Sequence, residues 1–159
     1  MTISVDMLKE FTQFGNLSDQ EIQIITKIAK KQTFPKKKKI FKEETPAENL
    51  YLLNRGKVSI RMCRGLAGAE IEVDTVTSGE IFGWSAIVEL EYTASAQAIT
   101  DIETIMLPAE ELCEIFEKNS NIGYQVMKVT TKVIARRLKL LWEQLVEKQQ
   151  NLNFRTRGL

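Results

Sequence analysis

Between residues 32 and 106 the chain is cut into short pieces at near-regular intervals. Turn-forming clusters at 43–48, 54–57, 64–69 and 77–80 separate stretches in which apolar and polar side chains alternate. Alternation with a period of two marks a half-buried strand. Short strands at such spacing close best as a sandwich or barrel, which removes their unpaired edges. Leu50-Tyr51-Leu52-Leu53 enters one strand, Asn54-Arg55-Gly56-Lys57 turns it tightly, and Val58-Ser59-Ile60-Arg61-Met62 returns. Ile71, Val73 and Val76 continue the pattern, and residues 97–106 read as two strands around Asp101. The run Lys36-Lys37-Lys38-Lys39 reads as the solvated guard of an edge strand before it reads as a nucleic-acid patch.

Helical spacing brackets this region. Met7, Leu8, Phe11 and Phe14 predict a short helix over 4–15. Ser18 with Glu21 predicts a capping box, followed by a helix that buries Ile22, Ile25 and Ile28 and turns Lys27, Lys30 and Lys31 outward. Pro108 suits the first position of a third helix, with Leu112, Ile115 and Phe116 as its stripe. The last helix is expected from about Asn121 to about Gln149. In it Met127, Thr131, Ile134, Leu138, Leu141, Leu145 and Lys148 alternate four and three residues apart, an a/d seam. About 28 residues make about 42 Å of helix, more than one small barrel covers, so the seam predicts a homodimer. Residues 1–149 are expected as one domain and 150–159 as a flexible tail.

The 159 residues include no histidine and two cysteines. His-ligated zinc or haem and histidine-based acid–base catalysis are thereby excluded, and two cysteines cannot hold a four-cysteine cluster. No metal site is expected. Cys63 and Cys113 read as buried reduced thiols. Neither a nucleophile paired with a base nor a Gly-rich triphosphate loop is present, so no enzyme is expected. No apolar run is long enough to span a bilayer and no signal peptide is evident, which places the chain in the cytoplasm. A net charge of +1 hides a marked asymmetry: residues 1–63 carry +5, 64–119 carry −10 and 120–159 carry +6. Different surfaces should therefore meet different partners.

Several motifs stand in order. Ile40-Phe41-Lys42-Glu43 precedes Leu50-Tyr51-Leu52-Leu53 and Gly56-Lys57-Val58; Gly79-Glu80-Ile81-Phe82-Gly83 and Ala135-Arg136-Arg137-Leu138 follow. Together they resemble the cyclic nucleotide-binding domain of the bacterial catabolite-activator (Crp/Fnr) superfamily. The resemblance implies an α+β fold: a cupin-like antiparallel β-barrel (double-stranded β-helix, jelly roll) with short N-terminal helices and a long C-terminal dimerisation helix. It implies a non-enzymatic regulatory or sensory role. It also points to a phosphate-binding cassette at Gly83, Trp84, Ser85, Ala86, Tyr92, Thr93, Ala94 and Ser95. In the family a cassette Glu accepts from the ribose 2′-hydroxyl and an Arg pairs with the cyclic phosphate. Trp84 and Tyr92 stand at those two positions, so cAMP or cGMP is not expected to bind in the usual way.

Backbone N–H groups over 83–87, with the hydroxyls of Thr93 and Ser95, still offer a small anion a cradle. A filled pocket with Trp84 in the ribose space suits the two aromatics and is the favoured reading; an aromatic ligand suits them too. Family relatives touch adenine from hydroxyls on the last helix, where Leu141 and Trp142 stand here. Residues 151–159 are too few for a helix-turn-helix, so sequence-specific DNA reading in the family's manner is not expected. The expected dimer contacts are Met127, Ile134, Leu138, Leu141 and Leu145. Two alternatives stay open. One is a structural protein-interaction module with an occluded pocket, its basic last helix meeting an acidic partner. The other is a nucleic-acid-associated regulator using residues 36–39 and Lys128, Lys132, Arg136, Arg137, Lys139, Arg155 and Arg157.

Overall fold

Strand β3, Asn49–Arg55, sets the layering. Leu50 and Leu52 point to one face, Tyr51 and Leu53 to the other, and all four are buried. A strand buried on both faces must be covered on both. The computed structural model, which describes residues 2–65, 68–88 and 90–157, shows how this is done. Leu66 and Ala67 of the second expected turn lie outside the described residues, as do the side chains of Arg155 and Arg157.

The remaining strands are β1 (Lys30–Phe34), β2 (Lys39–Phe41), β4 (Lys57–Arg64), β5 (Ala69–Thr77), β6 (Ile81–Phe82), β7 (Ser95–Ala98) and β8 (Ile102–Pro108). They form two four-stranded sheets, ordered β1-β8-β3-β6 and β2-β7-β4-β5, with every pairing antiparallel. Tyr51 and Leu53 join Val58, Val76, Phe82, Ala96 and Ile102 in a core between the sheets. Leu50 and Leu52 join Ile105 and Leu107 in a second core, closed by Leu8, Phe14, Ile22, Leu112 and Val126 of the helices. The β3–β4 turn depends on Gly56, whose φ is +99° and whose absent Cβ would lie 2.7 Å from the Asp101 carbonyl oxygen.

Helices α1 (Val5–Lys9) and α2 (Asp19–Thr26) lie on the outer core. The helix expected over 4–15 is broken: α1 stops at Lys9 and a 3-10 turn, Thr12–Phe14, follows. Burying Phe11 and Phe14 together takes that tighter turn. Both halves of the Ser18–Glu21 capping box are made. Because α2 ends at Thr26, Lys30 and Lys31 belong to β1. The lysine run falls mostly in the β1–β2 turn, where Lys37 has φ +71° and its N–H donates to the Ala98 carbonyl; Lys39 alone lies on the edge strand β2.

Pro108 occupies the N-cap position of helix α3 (Ala109–Lys118), one place before the first helical position that the sequence suggests, and the Ala109 N–H donates to the Glu48 carbonyl. The last helix, α4, runs Ser120–Arg157, 38 residues or about 57 Å. It continues past the expected end at Gln149 because no Gly or Pro interrupts the polar run before Gly158. Ile122, Val126 and Thr130 anchor its first turns in the core. From Leu138 onward its large apolar side chains are exposed.

Candidate functional site

The site is built on two glycine turns. At Gly79, φ is +90°, and the next carboxylate, Glu80, accepts from the Thr77 N–H at 2.7 Å and the Thr77 hydroxyl at 3.1 Å. Strand β6 then pairs Ile81 with Leu52 and Phe82 with Tyr51. At Gly83, φ is +74° and a Cβ would sit 3.1 Å from the Asn49 carbonyl oxygen and 3.3 Å from Phe41. The chain leaves this turn into a 3-10 helix, Trp84–Val88, with Ser85, Ala86 and Ile87 buried.

Tyr92 lies inside rather than at the rim. Its ring stacks on Phe41 at 3.8 Å between centroids and 10° between planes, and Phe41 stacks in turn on Tyr51 and Phe82. Its hydroxyl donates to the Asn49 carbonyl at 2.8 Å and accepts from the Asn49 N–H at 3.1 Å. Burial pushes the phenol up to about 12, against the opposing pull of the Asn49 hydrogen bond. Trp84 is half-buried and packs against the helical core. Ser95 is fully buried in β7, its hydroxyl accepting from the Glu43 N–H at 2.9 Å.

A cavity of about 510 Å³ opens between this cassette, the β4–β5 hairpin and α4. Gly83, Trp84, Ser85, Tyr92, Thr93 and Ala94 form one wall. Ser95 does not reach it, and Ala86 faces a separate cleft of about 720 Å³ beside α3. Three expected dimer contacts, Ile134, Leu138 and Leu141, line the cavity instead of projecting clear of it. Met127 packs on the helical core, and Leu145 stands exposed.

Arg137, which the sequence shows only as part of a basic motif, lines the same cavity and bridges Asp74 at 3.3 Å and Glu80 at 3.5 Å. The motif containing Arg137 was visible, but its carboxylate partners lie roughly sixty residues earlier. Pairing with Asp74 and Glu80 ties α4 to β5 and to the cassette's first turn. The cleft beside α3 is acidic, lined by Glu48, Glu91, Glu110, Glu111, Glu114 and Glu117. On α4, Lys139 pairs with Glu143, which interrupts the basic ridge of Lys128, Lys132 and Arg136. Cys63 is exposed rather than buried, Cys113 is half-buried, and no disulfide joins them. Among the described residues no cluster of side chains has the makings of a metal site, and no helix is long and apolar enough to cross a membrane.

A family model of the cyclic nucleotide-binding domain matches residues 31–119. A candidate cyclic nucleotide-binding protein of Geobacter metallireducens, a solved structure, is 30% identical with a TM-score of 0.75, covering 86% of this chain and 98% of that one. The Cyclic AMP receptor protein of Thermus thermophilus is 28% identical over 127 residues, 79% of this chain and 56% of that protein. Glutaminase 2 of Bradyrhizobium diazoefficiens is 24% identical over 131 residues, 82% of this chain but 20% of that enzyme. The chain therefore spans about half of one curated relative and a fifth of the other.

Proposed function

The chain belongs to the cyclic nucleotide-binding domain family, and from that premise we propose that it is a non-enzymatic regulatory module whose cassette does not grip a cyclic phosphate. The observation that carries this is Tyr92. At the position where the family resemblance calls for an arginine, a phenol is locked into an aromatic stack with both of its hydrogen bonds made inside the protein. A phosphate brought here would be desolvated with no cassette cation to meet it. Backbone N–H groups after Gly83 remain, but the buried 3-10 turn is short and Arg137, the cation at the cavity, is already paired with Asp74 and Glu80. On this reading the two sheets are a jelly roll of the cupin kind, and α4 joins two copies through Leu145 and the apolar side chains beyond it. The exposure of Leu145, Val146, Leu152 and Phe154 supports the dimer.

The test is thermal. Millimolar cAMP or cGMP should leave the melting temperature unchanged within a degree. A saturable rise of several degrees would overturn the reading, because any ligand that prefers the native state must stabilise it.

A second reading, a protein-interaction module, is favoured by the acidic cleft beside α3, which suits a basic partner segment. Capture that persists unchanged from low salt to 1 M salt would remove that reading, since exposed charges are screened within a few Å at that strength.

A further inference from the structure

We propose that the cavity between the cassette, the β4–β5 hairpin and α4 takes an uncharged apolar small molecule with an aromatic body. The proposal deepens the regulatory reading and rests on its premise that the cassette holds no free cation. Size comes first: about 510 Å³ falls within the range of roughly 300–1,000 Å³ typical of small-ligand sites.

Charge then decides the class. Two charged side chains line the cavity, Asp74 and Arg137, and they are paired to each other. Arg137 is shared further with Glu80, and Asp74 also accepts from the Thr75 N–H at 2.8 Å. An anionic ligand would have to take Arg137 from two carboxylates and leave both beside it. A cationic ligand would meet carboxylates whose partners are already in place. A neutral ligand disturbs neither.

The lining agrees with this. Phe41, Phe82 and Trp84 supply aromatic surface, while Tyr92 turns its hydroxyl away to Asn49. At the mouth Met62, Val73, Leu138 and Leu141 are each between 41% and 49% exposed, although they converge on one hollow. An apolar guest would remove that surface from water, and the gain grows with the apolar area covered. Ser85 on the wall and Thr93 and Gln144 nearer the edge are uncharged polar side chains of the lining that can orient it.

Two probes with the same aromatic body separate these possibilities. N-phenyl-1-naphthylamine is neutral; 1-anilinonaphthalene-8-sulfonate adds a sulfonate. The neutral probe should brighten saturably with one site per chain, and the sulfonate should bind at least tenfold more weakly. Val73→Trp, which fills the cavity, should abolish binding of the neutral probe; Ala94→Leu serves the same purpose if the first variant fails to fold. Lys118→Ala, at the exposed end of α3 and away from both the cavity and the proposed dimer contact, should leave binding intact. Absence of saturable binding, equal affinity for both probes, full binding in a folded filling variant, or loss in Lys118→Ala would each overturn the proposal. Displacement of the neutral probe by cAMP would instead overturn the proposed rejection of cyclic nucleotides, so the two failures are distinguishable.

Discussion

Tyr92 shows how much one position decides. Stacking on Phe41 at 3.8 Å adds about 0.5–1.5 kcal/mol beyond simple burial, and the hydroxyl closes both backbone valences of Asn49. Tyr92→Phe keeps the stack and strands the Asn49 N–H and carbonyl. The expected cost is about 1–2 kcal/mol, which in a chain of this size lowers the melting temperature by about 3–6 °C. Differential scanning calorimetry checks it; an unchanged melt would mean that water replaces the phenol. The same side chain sets an alkaline limit. Its folded pKa of about 12 lies above the ordinary value of 10.0, so the unfolded state releases the proton first. Stability from this group is complete below pH 10 and is lost as pH rises towards 12. Difference absorbance of wild type minus Tyr92→Phe should therefore show ionisation near pH 12 in the folded protein. Ionisation at pH 10 in that difference signal would contradict the burial.

At the scale of elements, what the sequence made legible was whatever neighbours along the chain could settle. Ser18 and Glu21 are three residues apart, and the capping box formed as read. The alternation in Leu50-Tyr51-Leu52-Leu53 marked a strand, and Gly56 marked its turn, because period and positive φ are local properties. Gly83 belonged to a recognisable motif for the same reason. Contacts closed in space were not legible. Arg137 reaches Asp74 and Glu80 only once β5 and α4 are packed together, and nothing local marked that pairing. The break after Lys9 was equally hidden, since it answers to the burial of Phe11 and Phe14.

Arg137 gives the prediction that belongs here. Arg137→Gln removes both ion pairs of a side chain that is one-quarter exposed. The expected loss is about 1 kcal/mol, a drop of roughly 2–4 °C in melting temperature. Amide exchange across α4 should quicken, and 1 M salt should narrow the difference from wild type. Unchanged exchange would show that Ile122, Val126 and Thr130 hold the helix alone.

For the whole molecule, acid stability and assembly are the measurable properties. The Lys39 ammonium hydrogen-bonded to Glu70 holds that carboxyl below the ordinary 4.5, with Arg61 adding to it, and the Asn121 amide does the same for Glu21. One contact joins the sheet edge to the β4–β5 hairpin; the other joins α2 to α4. A lowered folded pKa means that the unfolded state binds protons first as pH falls. Their contribution is complete above about pH 4.5 and disappears below it. Lys39→Met should therefore be less stable at neutral pH and show a flatter acid limb; an identical pH profile would remove Glu70 from the account. Assembly tests the exposed side of α4. Leu145→Glu with Leu152→Glu should halve the mass measured by light scattering, and an unchanged mass would place any self-association elsewhere.

The proportions of α4 carry a mechanical consequence. Its buried anchor ends at Thr130, its cavity wall centres on Leu138, and its last described residue is Arg157. At 1.5 Å per residue these points lie about 12 Å and about 40 Å from the end of the anchor. A stiff rod bending where its anchor ends multiplies movement about threefold. A guest that pushed the cavity wall outward by about 1 Å would swing the tip by about 3 Å, with no refolding required anywhere in the chain.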